Sequence, residues 1–276
     1  MSKKIRTLLL ILFSIPGFLI VAFWGLVIYV DKQLANTSHD QFYNDCHKVW
    51  SNRGLVTEGR VQNSIASVKN AFMHQAKGVE VDHFYDPGLG RFIVSHDFPY
   101  RLKDGKLLTL EELFSAVDSP DHYYWLDFKK LRKLKDEQVY EAIARLNQIA
   151  GSNDLKQRIY VEGEDPFHLA YVRDAGFNTI FDTHPIPDRF PLSGFVINVY
   201  KIVYYFGEYS VFGIPYSYHG DPIFSGENQK TLANVPVFVY HVDEPKLIEG
   251  IVMDPAVRVA LNNSHSIDNF QTNVCK

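Results

Sequence analysis

A closed (β/α)8 barrel, preceded by one transmembrane helix, is the fold this sequence predicts. Three observations carry it: an uncharged run near the N-terminus, an alternation of strand-type and helix-type segments after it, and eight or nine strand candidates in the remainder. Of 276 residues, 46% are hydrophobic and 22% charged. About 240 remain after the N-terminal run, enough for one large α/β domain.

The run comes first. Lys3, Lys4 and Arg6 precede residues 8–30, which carry no charge. At ~1.5 Å per residue that length crosses a bilayer, and Pro16-Gly17 does not prevent insertion. The run continues through bulky Trp24, Ile28 and Tyr29 to Asp31 with no small-residue cleavage site, so it reads as an uncleaved anchor. The basic tip favours an inside N-terminus, which puts the rest outside, periplasmic if the source is bacterial. Residues 1–31 are then tip and anchor, 32–45 a polar stalk, and 46–276 the barrel domain.

Within the domain, HKVWSN (47–52), GVEVD (78–82), RFIVSHD (91–97), YYWLDFK (123–129), RIYVEG (158–163), NTIFDT (178–183), FVINVY (195–200), PVFVYHV (236–242) and GIVMD (250–254) have strand character. Residues 64–76, 109–117, 136–150 and 165–176 have helical character. Such alternation implies parallel strands with crossover helices, and the strand count fits a closed barrel better than an open sheet. Residues 186–230 break the rhythm with aromatics, Gly and Pro, and read as an elaborated loop or lid.

The net charge of −4 argues against a nucleic-acid partner, despite the local basic stretch 129–135. Cys46 and Cys275 are the two cysteines. An oxidising compartment permits their pairing, but the sequence leaves it open.

In a barrel of this kind, function sits at the carboxyl ends of the strands. The polar residues there are Asn52 and Arg53, Glu80 and Asp82, His96 and Asp97, Asp127 and Lys129, and Glu162. Glu80 and Asp82 are two apart and leave the same face of a strand, as do Asp127 and Lys129. Inward carboxylates on neighbouring strands repel unless a cation lies between them, so Glu80, Asp82 and Asp127 point to a hard divalent ion, Mg²⁺ or Ca²⁺. Such an ion binds phosphate oxygens, Lys129 adds positive charge, and His96 can pass protons.

SNRG (51–54), QNS (62–64), GVEVD, IVSHD (93–97), LLTLEEL (107–113) and WLDFK (125–129) together resemble the successive blocks of the glycerophosphodiester phosphodiesterase family. PVFVYHVDEP (236–245) and GIVMD resemble its last two strands more weakly. The resemblance implies a (β/α)8 barrel that cleaves glycerophosphodiesters or related lipid headgroups with a divalent metal and two histidines. By position it makes Glu80, Asp82 and Asp127 metal ligands, His96 one acid/base group, and Lys129 and Arg53 phosphate-binding cations. Two positions depart from the pattern. Asn52 stands where the family has its first histidine, and Gln62 where it has a further carboxylate. Asparagine cannot exchange a proton near neutral pH. His47 lies about 16 Å away along an extended strand and faces oppositely, too far for direct replacement. Glu58, His184, His219 and His241 are open candidates for the missing group.

Two functions compete on these residues. One is a membrane-anchored phosphodiesterase with an altered acid/base set. The other is a catalytically impaired relative that binds a phosphorylated lipid or a protein partner. An interaction scaffold built on residues 186–230 has only composition in its favour.

Overall fold

The computed structural model describes residues 3–56, 61–103, 105–151, 153–242, 244–263 and 275, with residues 3–16, 153 and 245 described by their backbone alone. In chain order the elements are α1 (Lys3–Ala35), β1 (Val49–Asn52), α2 (Ile65–Met73), β2 (Gly78–Asp86), β3 (Arg91–Val94), α3 (Leu110–Val117), β4 (Tyr123–Phe128), a 3-10 turn (Leu131–Lys133), α4 (Asp136–Ala150), α5 (Asn153–Arg158), β5 (Ile159–Gly163), α6 (Pro166–Asp174), β6 (Asn178–Asp182), α7 (Ser193–Phe206), β7 (Val211–Pro215), β8 (Ser217–Tyr218), β9 (Asp221–Pro222), α8 (Gly226–Thr231), β10 (Val237–Val242), α9 (Pro245–Val252) and β11 (Val257–Asn262).

Strands β1, β2, β4, β5, β6, β7, β10 and β11 pair in parallel in that order, and β11 closes on β1. This is the eight-stranded barrel that the sequence predicts. Because side chains alternate along each strand, one set lines the interior and the other meets the helices. The interior set is aromatic at its lower level: Trp50, Trp125, Tyr160 and Phe238 are fully buried and pack on one another. Burial of each contributes on the order of 3 kcal/mol. Gly78 makes room for this layer, since a Cβ there would lie 2.2 Å from the Trp50 indole. The outward set, including Val79, Val81, Leu126 and Val161, packs against helix residues such as Leu113, Ile143 and Leu169. Capping boxes at Ser64 with Ser67, and at Thr109 with Glu112, fix the starts of α2 and α3.

Three segments differ from the sequence expectation. RFIV forms β3, but it pairs antiparallel with the projecting half of β2, His83 opposite Val94 and Asp86 opposite Arg91, so it stands outside the barrel wall. FVINVY lies in helix α7, whose buried positions Ser193, Ile197, Lys201 and Tyr204 recur at helical spacing. Its β-branched and aromatic content imitates a strand, and the buried lysine hides the period. GIVMD belongs to the end of α9 and the turn after it; the last barrel strand is β11. The irregular stretch 186–230, read as an elaborated loop or lid, contains α7, β7, the small β8–β9 hairpin and α8.

Helix α1 packs along α7. The rings of Phe23 and Phe195 lie 4.6 Å apart, and Asp31 pairs with the buried Lys201 at 2.5 Å. Residues Gly17–Ala35 have a mean hydropathy of 1.6 and are 17% buried, which makes this a candidate membrane span. After the helix, Tyr43 packs into the barrel at the amino ends of the strands. Its ring lies 4.9 Å from that of Trp50, and its N–H donates to the Tyr160 hydroxyl at 2.6 Å. Cys46 and Cys275 are joined by a disulfide, a pairing the sequence left open.

Candidate active site

The interior alternation continues upward from the aromatic floor. On β1, Trp50 is followed inward by Asn52; on β4, Trp125 by Asp127; on β5, Tyr160 by Glu162; on β6, Ile180 by Asp182; on β10, Phe238 by Tyr240. β2 supplies Glu80 and Asp82. Asn52, Glu80, Asp127, Glu162, Asp182 and Tyr240 line a cavity of about 440 Å³ at the carboxyl ends of the strands, together with Arg53, His96, Lys129 and His241.

Asp82 lies beneath this cavity, fully buried, and organises it. One oxygen pairs with Arg53 Nε at 2.8 Å and the other with Lys129 Nζ at 2.8 Å. Asn63 Nδ2 donates to the same carboxylate at 2.7 Å, and the Asp82 N–H donates back to Asn63 Oδ1 at 3.0 Å. Asn63 holds a positive φ of 54°, a conformation asparagine tolerates better than most residues. Arg53, also at positive φ, turns its N–H toward Glu80, donating to Oε2 and to the main-chain oxygen at 3.1 Å each. Lys129 also pairs with Asp127.

Carboxylate oxygens of Glu80, Asp82 and Asp127 all lie within 4.8 Å of one another. Burial, then the negative charges of Asp82 and Asp127, push the Glu80 carboxyl well above the usual range. Burial pushes Asp127 up to about 6, against the pull of Lys129. Burial opposes the Lys129 ammonium, but Asp127 and Asp82 more than offset it and raise its pKa. Three close oxygen ligands whose charge is incompletely balanced fit a hard divalent cation.

Further round the ring, the Trp125 indole N–H donates to Glu162, and the Tyr240 hydroxyl donates to Asp182 at 2.9 Å. Burial pushes Glu162 well above its usual range and Asp182 up to about 7. A carboxyl raised this way holds its proton more tightly folded than unfolded, so its contribution to stability falls as pH climbs from about 4 to about 7 and is flat above that. In chelator, the melting temperature of the parent relative to Asp182→Asn is therefore expected to drop between about pH 4 and pH 7. Parallel melting curves for the two proteins across that range would contradict this account of Asp182.

His96 stands at the rim, its Nδ1 2.7 Å from Asp97 Oδ1, while Asp97 also pairs with Arg101 at 2.5 Å. With Nδ1 engaged, Nε2 is the atom left to exchange a proton. His83 sits beside Asp82 in sequence but points to the outer layer between Phe92 and Phe128, where burial lowers its pKa to about 3. Asn52 Nδ2 donates to Asn263 Oδ1 at 2.6 Å, so position 52 is occupied by an amide pair.

The structure thus gathers Asn52, Arg53, Glu80, Asp82, His96, Asp127, Lys129 and Glu162 at one mouth. Gln62 does not line the cavity; its main-chain oxygen accepts from Lys103 at 2.7 Å. Of the open candidates for the missing group, His241 lines the cavity, whereas His184 and His219 do not. Glu58 lies outside the described residues. Asn63, Asp182, Tyr240 and Asn263 were not among the sequence candidates. The strand-end rule finds Asp182 and Tyr240 when applied to NTIFD and to β10; nothing local marks Asn63 or Asn263.

No family model and no curated protein matches the chain. Among solved structures, it is similar to a glycerophosphodiester phosphodiesterase from Parabacteroides distasonis, with TM-score 0.59, 18% identity, and coverage of 82% of this chain and 94% of that one. A glycerophosphoryl diester phosphodiesterase from the same organism gives TM-score 0.53 at 11% identity, covering 85% and 89%. The glycerophosphoryl diester phosphodiesterase domain of a Mycobacterium tuberculosis protein gives 0.51 at 10%, covering 81% and 98%. At these identities the likeness is one of fold, and it agrees with the resemblance carried by the sequence blocks.

Proposed function

We propose that this chain, which has the barrel fold of the glycerophosphodiester phosphodiesterases, is a membrane-anchored hydrolase of lipid-headgroup or glycerol-linked phosphodiesters that works with Mg²⁺ or Ca²⁺. The observation that supports it best is the cluster of Glu80, Asp82 and Asp127 beside Arg53 and Lys129, under a cavity that His96 and His241 also line. Glu80, Asp82 and Asp127 would hold the ion, which when bound supplies positive charge to the phosphoryl oxygens. Arg53 and Lys129 bind and orient the phosphate. One imidazole takes the proton from the attacking hydroxyl and the other returns a proton to the leaving alkoxide. His96 fills one of these roles, and His241 takes the other in place of the residue that Asn52 has displaced.

The second reading, a phosphate-binding relative without turnover, draws on one observation: Asn52 is held by Asn263 and offers no proton. The two are separated by assaying the full chain on glycerophosphodiesters and lysophospholipids with Mg²⁺, Ca²⁺ or chelator, beside His241→Gln. Turnover that requires the metal and falls about 10²-fold in His241→Gln is the expected result. Metal and phosphate binding without turnover in the parent would establish the binding protein instead.

A further inference from the structure

The direction of α1 fixes how the barrel meets the membrane. In a parallel barrel each helix runs opposite to the strands, so α7 starts near Asp182 at the mouth and ends near Val211 at the closed end. α1 runs parallel to α7: Phe23 meets Phe195 in the first turn of α7, and Asp31 meets Lys201 further down. Past that, Leu34 and Thr37 lie with Asn234, Pro236 and Pro255, which precede β10 and β11 at the closed end. Followed toward its N-terminus, α1 therefore passes the mouth and leaves on that side. From Phe23 back to Leu8, where the uncharged run begins, it rises 15 residues, ~23 Å, about three quarters of one hydrocarbon thickness.

The mouth carries matching chemistry. Leu89 tips the β2–β3 turn, Phe98 and Leu102 follow His96, Phe167 opens α6 after β5, and Phe190 and Leu192 precede α7; all six are exposed, Phe98 by 63% and Phe167 by 78%. They stand on separate loops around one rim, where Lys130, Arg132 and Lys133 also line the cavity. Phe195, which meets Phe23, follows Phe190 and Leu192 closely in the chain, so α1 passes beside this rim. Arg132 pairs with Glu164 at 3.3 Å, and Lys130 and Lys133 add positive charge beside the exposed apolar groups, a combination that suits a headgroup interface.

We infer that the barrel mouth is seated on the outer leaflet of the membrane that α1 crosses, with these six side chains among the headgroups, and that the substrate is a phosphodiester lipid drawn directly from the bilayer. This rests on the proposed phosphodiesterase function for its substrate and on α1 as a span for its geometry.

The test uses the full chain in vesicles of phosphatidylcholine and phosphatidylglycerol, with a spin label on a single cysteine introduced at Phe98, Leu192, Met73 or Met253 and the native disulfide intact. Labels at 98 and 192 are expected to be accessible to oxygen and shielded from an aqueous nickel chelate, while labels at 73 and 253, at the closed end, show the reverse. The opposite pattern, or water exposure at all four, overturns the seating without reference to activity. In the same vesicles, Phe167→Glu with Leu192→Glu is expected to lower hydrolysis of bilayer phosphatidylcholine at least ~10-fold and to change that of soluble glycerophosphocholine less than ~2-fold. Equal effects on both, or turnover of the soluble compound only, overturn the lipid substrate. A parent inactive on every phosphodiester overturns the phosphodiesterase reading and the lipid substrate with it, while the labels still decide the seating.

Discussion

Replacing His96 with alanine is expected to lower kcat about 10²- to 10⁴-fold, the usual cost of losing a positioned acid or base. The imidazole is held at the rim by Asp97 through Nδ1, and Arg101 in turn holds Asp97. Because Asp97 touches the ring and not the cavity, Asp97→Asn should weaken the orientation without removing the proton carrier, and so cost less than His96→Ala. KM should change little in either variant, since Arg53 and Lys129 remain to bind phosphate. Installing the family's residue by Asn52→His is a sharper comparison. If His241 already supplies the second imidazole, Asn52→His raises kcat less than about 10-fold and fails to rescue His96→Ala. A large gain in Asn52→His would move the second acid/base role away from His241.

The largest effect on stability is expected at Asp82. Its carboxylate is fully buried and is shared by Arg53, Lys129 and Asn63. Asp82→Ala leaves two partly buried cations with one fewer anion, and removing one partner of a buried pair costs about 3–5 kcal/mol. For a domain of this size that corresponds to a fall in Tm of roughly 10 °C. Asp82→Asn keeps the acceptor for Asn63 and the shape of the site, so its loss should be smaller. A melting temperature within about 2 °C of the parent in Asp82→Ala would show that Glu80 and Asp127 alone satisfy Arg53 and Lys129.

Much of this site was legible because barrel strands are short and end in the residues that matter. Glu80, Asp82, Asp127, Lys129 and Glu162 follow from alternation and strand ends alone. The later strands were harder for physical reasons. β7, VFGIP, is brief and embedded in aromatic sequence; β11, VRVALN, carries Arg258, whereas the more apolar GIVMD before it ends a helix that Pro245 begins. Asn63 escaped for a different reason. Its value lies in a contact 19 residues away that depends on a left-handed backbone, and no pattern in QNS announces it.

Tyr43 sits between the helix and the first strand, yet its ring is part of the barrel's floor. The segment between α1 and β1 is therefore also a stopper. Cutting the chain just after it would unseat a core side chain and open the aromatic layer under the carboxylates to water, so a soluble version of the domain has to begin upstream of Tyr43.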